Sequence, residues 1–543
     1  MTKDTDSLIF KGPVWKDVVN GGIGEEFWAT AQKYGSKPFQ IDGFSGKIQT
    51  FEDAKIRAIR VALDLKNLGV KPQDMIIVCG NPNFDVPIPA LAAFLLGAAV
   101  VEVLPDIELY DARYKISQIK PKAFFVMDSK LHVIQEVLKT SEEQPEVYVM
   151  GSKAEGCRSM DSIATTVNPK ENDFTPVKVD IYDCAFVIFS SGTTSTPKPI
   201  CISHFSILAL STMENNIFQF DFSNFQPILL FVPYCHVSSA WLLASSITNA
   251  CPIIAVPNVP AEKLLEIFEN YEITCAYLSY GILTATCAVE ELVYKKYDLS
   301  KVKKICTGGS YVHPKFIEKL KKIFPNAAIF RVYGSTEQCG RPITFDEKAD
   351  KDFINSYSES LGNRIFNNFE VKVVDPNTGK LLGPNQKGEL YTKSPYRMLG
   401  YYNKPCKEQF DEDGFLKTGD LVYYDDKGFF YFCDRLSAAF KHKGGFVFPS
   451  LVEECLSQHP SVKESSVFGV PHDEDRNRSF ACVVLKPGKT ATAEELSAFV
   501  VEKMGEFHKL DGVKFFEKFP LAASEKIAVS ELKKIIFTEK GIV

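Results

Sequence analysis

Residues 186–200 read FVIFSSGTTSTPKPI: an apolar β run stops at Phe189 and gives way to Ser190, Ser191, Gly192, Thr193, Thr194, Ser195 and Thr196, ahead of Pro197 and Lys198. Small hydroxylated residues let backbone N–H groups approach an anion closely. Their hydroxyls donate further hydrogen bonds, and a lysine adds a point charge. The stretch therefore reads as a polyphosphate cradle at the end of a strand. Its spacing is not G-x-x-x-x-G-K-[ST], so it is not a Walker A loop. A solvated Ser/Thr linker is the plain alternative, disfavoured by the strand in front and the closing Pro-Lys.

Outward from this loop, helical-period segments alternate with short β-branched or aromatic runs up to about residue 430. FEDAKIRAIRVALDLKNLGV precedes MIIVCG, YKISQIKP precedes KAFFVM, and AEKLLEIFENYEI precedes TCAYLSY. Such alternation predicts an α/β fold, with mainly parallel sheets, helices on their faces, and ligands at the carboxyl ends of the strands. After Phe366 the texture changes to hairpins, in EVKVVDPNTGKLLG, KGELYTKS, LVYYDDKG and FFYFCDRL. A β-rich subdomain is expected over about 366–434, closing an N-terminal body of 1–434. From 435 to 543 a small α+β domain is expected, with helices in VFPSLVEECLSQHP and TAEELSAFVVEKM and strands in VKESSVFGVP and SFACVVLKP. Thr492 caps the second helix, with Glu494 and Glu495 in its first turn.

Composition narrows the function classes. The chain has 543 residues, 45% apolar and 24% charged, with 33 Gly and 30 Pro, close to globular averages and far from disordered or fibrous sequences. At roughly 150 residues per domain it holds about three or four folding units. With 62 basic against 68 acidic residues, the net charge of −6 provides no global field for nucleic acid or anionic lipid. The 14 cysteines are scattered, without C-x-x-C spacing, and read as small core residues in a reducing compartment. The N-terminus lacks a secretory signal pattern. The longest apolar run, Val86–Val101, carries Pro87, Pro89 and Gly97. It falls short of the roughly 20 residues that span a bilayer and reads as a buried helix feeding a strand. The expected location is intracellular, cytoplasmic or peroxisomal, although KGIV is not the S-K-L address. Oligomeric state is left open.

Two further segments carry chemistry. In FRVYGSTEQCG, Tyr333, Gly334, Ser335, Thr336 and Glu337 follow an apolar strand. They combine a stacking face, close backbone approach, a phosphate donor and a carboxylate for Mg²⁺. GFLKTGDLVYY puts Asp420 after a Thr-Gly turn at the start of a strand, where a carboxylate can accept from a ribose diol.

Taken in order, SSGTTSTPK, YGSTE, TGD, Asp434-Arg435 with KHKGG behind it, and the late lysine in SEKIAVSEL resemble the signature segments of the adenylate-forming superfamily. That superfamily includes acyl-CoA synthetases, 4-coumarate–CoA ligases and beetle luciferases. The resemblance covers essentially the whole chain. It implies activation of a carboxylate with Mg·ATP to an acyl-adenylate and pyrophosphate, followed by transfer to coenzyme A. It also implies that Ser190, Ser191, Gly192, Thr193, Thr194 and Lys198 grip the β- and γ-phosphates. Thr336 would contact the α-phosphate, Glu337 the magnesium, and Asp420 with Arg435 the ribose. Gly308 and Gly309 match the loop lining the adenine and acyl site, and Tyr333 with Gly334 the adenine contact. His236 matches a histidine near the carboxylate. Lys526 matches the small-domain lysine that neutralises two anions as they meet. Lys441 matches a nucleotide-site lysine, and Lys443 and Gly444 would face coenzyme A after the small, mobile lid turns.

The departures are equally specific. Ser195 and Pro199 replace loop glycines, and Pro199 removes an N–H beside Lys198. Ser437 replaces a charged hinge residue, Phe446 a glutamine, and Glu525 the glycine before Lys526. Leu-Ser-Tyr follows Tyr277 where the family has Pro-Pro, which would reshape the acyl pocket. The expected function is an ATP-dependent acid–CoA ligase acting on a fatty or aromatic carboxylic acid. The alternatives are a weakened acyl- or nucleotide-binding paralogue and a luciferase-type adenylating oxygenase.

Overall fold

A computed structural model of the chain describes residues 8–16, 19–105, 107–151, 157–190, 197–212, 216–230, 234–256, 260–309, 312, 314–346, 348–443, 445–521 and 527–542. The runs MIIVC, AVVEV, AFFVM and CAFVIF are apolar almost throughout, as strands covered on both faces must be. They form the parallel strands Met75–Cys79, Ala99–Val103, Ala123–Met127 and Cys184–Phe189 within an eight-stranded sheet. The strand Pro199–Ser203 returns antiparallel to Cys184–Phe189, so the hydroxyl-rich loop is the link between two hydrogen-bonded neighbours.

One face of this sheet joins the main apolar core through Val100, Phe186 and Ile188, and the other packs a second cluster around Ala112, Ile116 and Ile119. Helix Phe51–Asn67 starts at a capping box in which Thr50 and Asp53 satisfy each other's backbone N–H. The run from Val86 forms the helix Pro87–Leu95, buried at every residue, and then the strand Ala99–Val103. Among the described residues no helix is long and apolar enough to cross a membrane. All 14 cysteines are free, and most are buried.

A second parallel sheet, Cys275–Leu278, Lys304–Gly308 and Ala328–Val332, ends at Gly309 and Tyr333. Gly308 is required by close approach: a Cβ there would lie 2.1 Å from the Val332 carbonyl oxygen of the next strand. The hairpin-rich region forms an antiparallel sheet ordered Phe10–Lys11, Glu370–Val374, Gly388–Lys393, Leu416–Tyr424, Phe430–Arg435. Here the structure departs from the sequence expectation, because Thr418-Gly419 is not a turn before a strand. It lies inside the strand Leu416–Tyr424, where Gly419 takes φ +70 and the pairing with Gly388–Lys393 is irregular. The result is a bulge, which re-aims the next side chain, Asp420.

The C-terminal region builds its own sheet from Val462–His472, Arg476–Leu485 and Leu510–Phe516. Helices Pro449–Ser457, Ala493–Met504 and Val529–Glu539 accompany it, around two separate apolar clusters.

Candidate nucleotide and acid site

The ends of the hydroxyl-rich loop are pinned. The Ser190 N–H donates to the Lys198 carbonyl at 2.9 Å, and the Lys198 N–H donates to Ser190 Oγ at 2.9 Å. Below the neck, the Tyr114 hydroxyl donates to the Pro197 carbonyl at 2.8 Å. Pro199 belongs to the strand rather than the loop: it pairs with Phe189, and its carbonyl accepts from the Tyr402 N–H at 2.8 Å. Ser191, Gly192, Thr193, Thr194 and Ser195 lie outside the described residues, as do Gly444, Glu525 and Lys526.

The Lys198 ammonium stands 5.0 Å from the centre of the Tyr401 ring. Burial pushes the Tyr401 phenol up to about 12, and the nearby Glu337 carboxylate adds to the shift. Tyr401 is therefore near both the loop lysine and the carboxylate expected to meet magnesium. Its strand, Gly400–Tyr401, pairs with Pro199–Ser203, placing Tyr401 opposite Ile200. Nothing in the sequence around Tyr401 signals this role, because the pairing joins positions some two hundred residues apart.

Glu337 follows a compact turn. The Ser335 N–H donates to Gln338 Oε1 at 2.8 Å, and the Gln338 N–H donates to Ser335 Oγ at 3.3 Å. Gly334 is exposed and Ser335, Thr336 and Glu337 are half-buried, so the turn opens to solvent while Gln338 anchors it in the core.

Behind it, Asp420 is completely buried. The Tyr333 hydroxyl donates to its Oδ2 at 2.6 Å, and Arg435 Nε forms an ion pair with its Oδ1 at 2.6 Å. Strand register places Asp420 directly opposite Arg435. Burial raises the Asp420 carboxyl above its ordinary range, against the pull of Arg435 and the Tyr333 hydrogen bond. Glu337 is within electrostatic reach of both Asp420 and Arg435. The Tyr333 ring lies 6.3 Å from that of Phe432.

Gly309 takes φ +79, and a Cβ there would sit 3.3 Å from the Tyr277 hydroxyl. Tyr277 in turn packs on Phe218, which meets Trp241 one turn into the helix Val237–Asn249. His236 is the N-cap residue of that helix. Lys441 and Lys443 are exposed in the C-terminal region, in a hairpin anchored to that region's own sheet: the Lys443 N–H donates to the Asp475 carbonyl at 3.2 Å, and Asn477 Nδ2 donates to the Lys441 carbonyl at 3.0 Å.

The structure thus holds Ser190 and Lys198 at one strand end, Thr336 and Glu337 in the turn after another, and Tyr333 and Arg435 on Asp420 inside a third strand, and adds Tyr401 and Gln338. Among the described residues no group of three His, Cys, Asp or Glu side chains could hold a metal by itself. A lone carboxylate such as Glu337 nevertheless suits Mg²⁺, which binds through one or two carboxylates plus substrate phosphates.

Luciferin 4-monooxygenase of Photinus pyralis is 29% identical over 549 residues, covering 98% of each chain. A 4-coumarate–CoA ligase-like protein of Arabidopsis thaliana is 27% identical over 504 residues, covering 92% of this chain and 86% of its own. The solved structure of a luciferase-like enzyme from the nonluminescent mealworm Zophobas morio superposes with a TM-score of 0.73 at 32% identity, over 80% of this chain and all of its own. The AMP-binding enzyme family matches residues 27–402, and the AMP-binding enzyme C-terminal domain matches residues 451–526. A match over residues 27–402, together with the C-terminal domain match over 451–526, places this chain in the AMP-binding enzyme family, the adenylate-forming superfamily.

Proposed function

We propose that the protein is an ATP-dependent acid–CoA ligase that converts a carboxylic acid first to an acyl-adenylate and then to a CoA thioester. The observation that carries this reading is Asp420, a buried carboxylate held between Tyr333 and Arg435 at 2.6 Å on either side. A fixed acceptor of this kind costs desolvation energy, and its use is to take a ribose diol in one orientation. Lys198 would meet the β- and γ-phosphates, Thr336 the α-phosphate, and His236 the acid. Mg²⁺, when bound to the phosphates beside Glu337, would offset their negative charge. Lys526 would neutralise carboxylate and α-phosphate together, and after the lid turns Lys443 and Gly444 would face coenzyme A.

Kinship to 4-coumarate–CoA ligase-like proteins supports the thioester step. The strand position of Pro199 supports turnover over mere binding, since its missing N–H falls on a strand end where proline is tolerated. The experiment is incubation of the purified chain with Mg·ATP, coenzyme A and a panel of aliphatic and aromatic acids. Release of AMP and pyrophosphate with thioester formation is expected. Binding of ATP with no pyrophosphate release for any acid would favour the non-catalytic paralogue, and light with a luciferin would favour the oxygenase.

A further inference from the structure

Gln338 is buried, with 1% of its surface exposed, and its side-chain amide bonds to two functional segments at once. Its Oε1 accepts from the Ser335 N–H at 2.8 Å. An N–H at that distance requires an acceptor, so the amide oxygen faces the turn and the nitrogen faces away from it. On that other side Nε2 donates to the Tyr333 hydroxyl and to Thr392 Oγ1, each at 3.5 Å. Among the described residues no other side chain hydrogen-bonds both to the turn Ser335-Thr336-Glu337 and to the Tyr333–Asp420 pair.

The Tyr333 hydroxyl has one proton and gives it to Asp420 Oδ2 at 2.6 Å, so towards Gln338 it can only accept. Donors therefore run one way, from Gln338 Nε2 to the Tyr333 oxygen and from the Tyr333 proton to Asp420, with Arg435 Nε on the other carboxylate oxygen at 2.6 Å. Each member of such a chain polarises the next. The Gln338 bonds on this side are long, so they orient more than they stabilise.

The opposite end of the amide meets a strained turn. Cys339, next in the chain and fully buried, takes φ +42, a left-handed conformation that a residue with a Cβ rarely adopts. Its N–H donates to the Thr336 carbonyl at 3.2 Å, and the Glu337 carbonyl accepts from the Met398 N–H at 3.0 Å. Strained backbone persists only where its surroundings hold it, and it gathers at functional sites.

We infer that Gln338 is a positioning residue: it sets where Thr336 and Glu337 stand relative to Asp420, so that the α-phosphate, magnesium and ribose of one nucleotide are met together. The inference rests on the ligase reading. A carboxamide suits the task because it carries an acceptor and two donors in one rigid plane.

The test is calorimetry of ATP binding to the full chain at a series of magnesium concentrations, with thermal melting of the same samples without ligand. Wild type is compared with Gln338→Met, which keeps the volume and loses both ends, and with Gln338→Asn, which keeps the amide one methylene shorter. Gln338→Met is expected to bind ATP about five- to ten-fold more weakly, as the loss of one or two hydrogen bonds implies, and to need roughly three-fold more magnesium for half of the effect. Gln338→Asn should move both quantities in the same direction by less, so the outcome does not depend on one variant folding. A folded variant with a lowered melting temperature but wild-type ATP affinity and magnesium dependence overturns the inference, because the glutamine would then serve packing alone. A loss of ATP affinity that is independent of magnesium overturns it as well. Wild type that binds no ATP at any magnesium concentration overturns the ligase reading itself.

Discussion

The Tyr333 hydroxyl donates to Asp420 Oδ2 across 2.6 Å, at a carboxylate with no exposed surface. Removing that donor in Tyr333→Phe leaves a buried acceptor short of a partner, at a cost of about 1–3 kcal/mol. The same hydrogen bond and Arg435 hold the Asp420 carboxyl down against burial, which raises it. In the proposed role at the ribose Asp420 accepts through both oxygens only when ionised, so falling pH is expected to weaken nucleotide binding as the carboxyl protonates. Tyr333→Phe should move the acid limb of the ATP affinity profile to higher pH, and Arg435→Met should move it the same way. Nucleotide titrations between pH 4 and 8 read this directly.

Ser190 ties the neck of the hydroxyl-rich loop through Oγ, which accepts the Lys198 N–H at 2.9 Å. Ser190→Ala loses that bond, worth about 0.5–1.5 kcal/mol. A KM for ATP raised by several-fold, with little change in the KM of the acid, is the expected result of steady-state kinetics.

Pro199 lies in the strand opposite Phe189 and outside the loop neck. Pro199→Gly should leave ATP affinity within about two-fold of wild type and lower stability by several tenths of a kcal/mol to about 1 through chain entropy. A large gain in ATP affinity would show instead that this position had been limiting the loop.

Asp434 joins the last strand of the antiparallel sheet to the C-terminal helix Pro449–Ser457. Its Oδ2 accepts from the Ser450 N–H at 3.0 Å and the Ser450 hydroxyl at 2.9 Å, at the N-terminus of the helix Pro449–Ser457. That is a helix cap supplied from another element, and Asp434→Ala should cost about 1–2 kcal/mol. The lid would be held less well, so overall thioester formation should fall more than pyrophosphate exchange. Measuring both rates on one preparation decides it.

Glu453 on the same helix is raised to about 8 by burial, against the pull of the Val467 N–H it accepts at 2.7 Å, with Asp434 adding to the rise. Its folded value stands above its ordinary 4.5, so the folded chain keeps a proton that the unfolded chain releases. Stability from this group is complete at low pH and is lost as pH rises through about 8. Glu453→Gln should remove that slope, giving a flatter plot of unfolding free energy against pH from 5 to 9 in denaturant titrations.

Much of the architecture was legible before any coordinates. Apolar runs such as MIIVC and CAFVIF are too uniformly hydrophobic for a half-exposed strand, and Thr492 with Glu495 does form the cap expected of it. The loop after Phe189 and the turn after Tyr333 were visible because each places special residue types at a strand end, and Asp420 because a carboxylate after Thr-Gly is unusual in an apolar strand.

Other features were not local. Thr418-Gly419 reads as a turn by residue type, and only pairing on both edges of the strand Leu416–Tyr424 turns it into the bulge that aims Asp420 at Tyr333 and Arg435. Tyr401 carries no motif, since it gains its place from a sheet register that brings distant residues together. Sequence alone determined which chemistry the strand ends carry, because backbone propensity and residue type are local properties. Tertiary structure decided which of those groups meet, because hydrogen-bond partners, burial and the charge state of Asp420 depend on what packs around them.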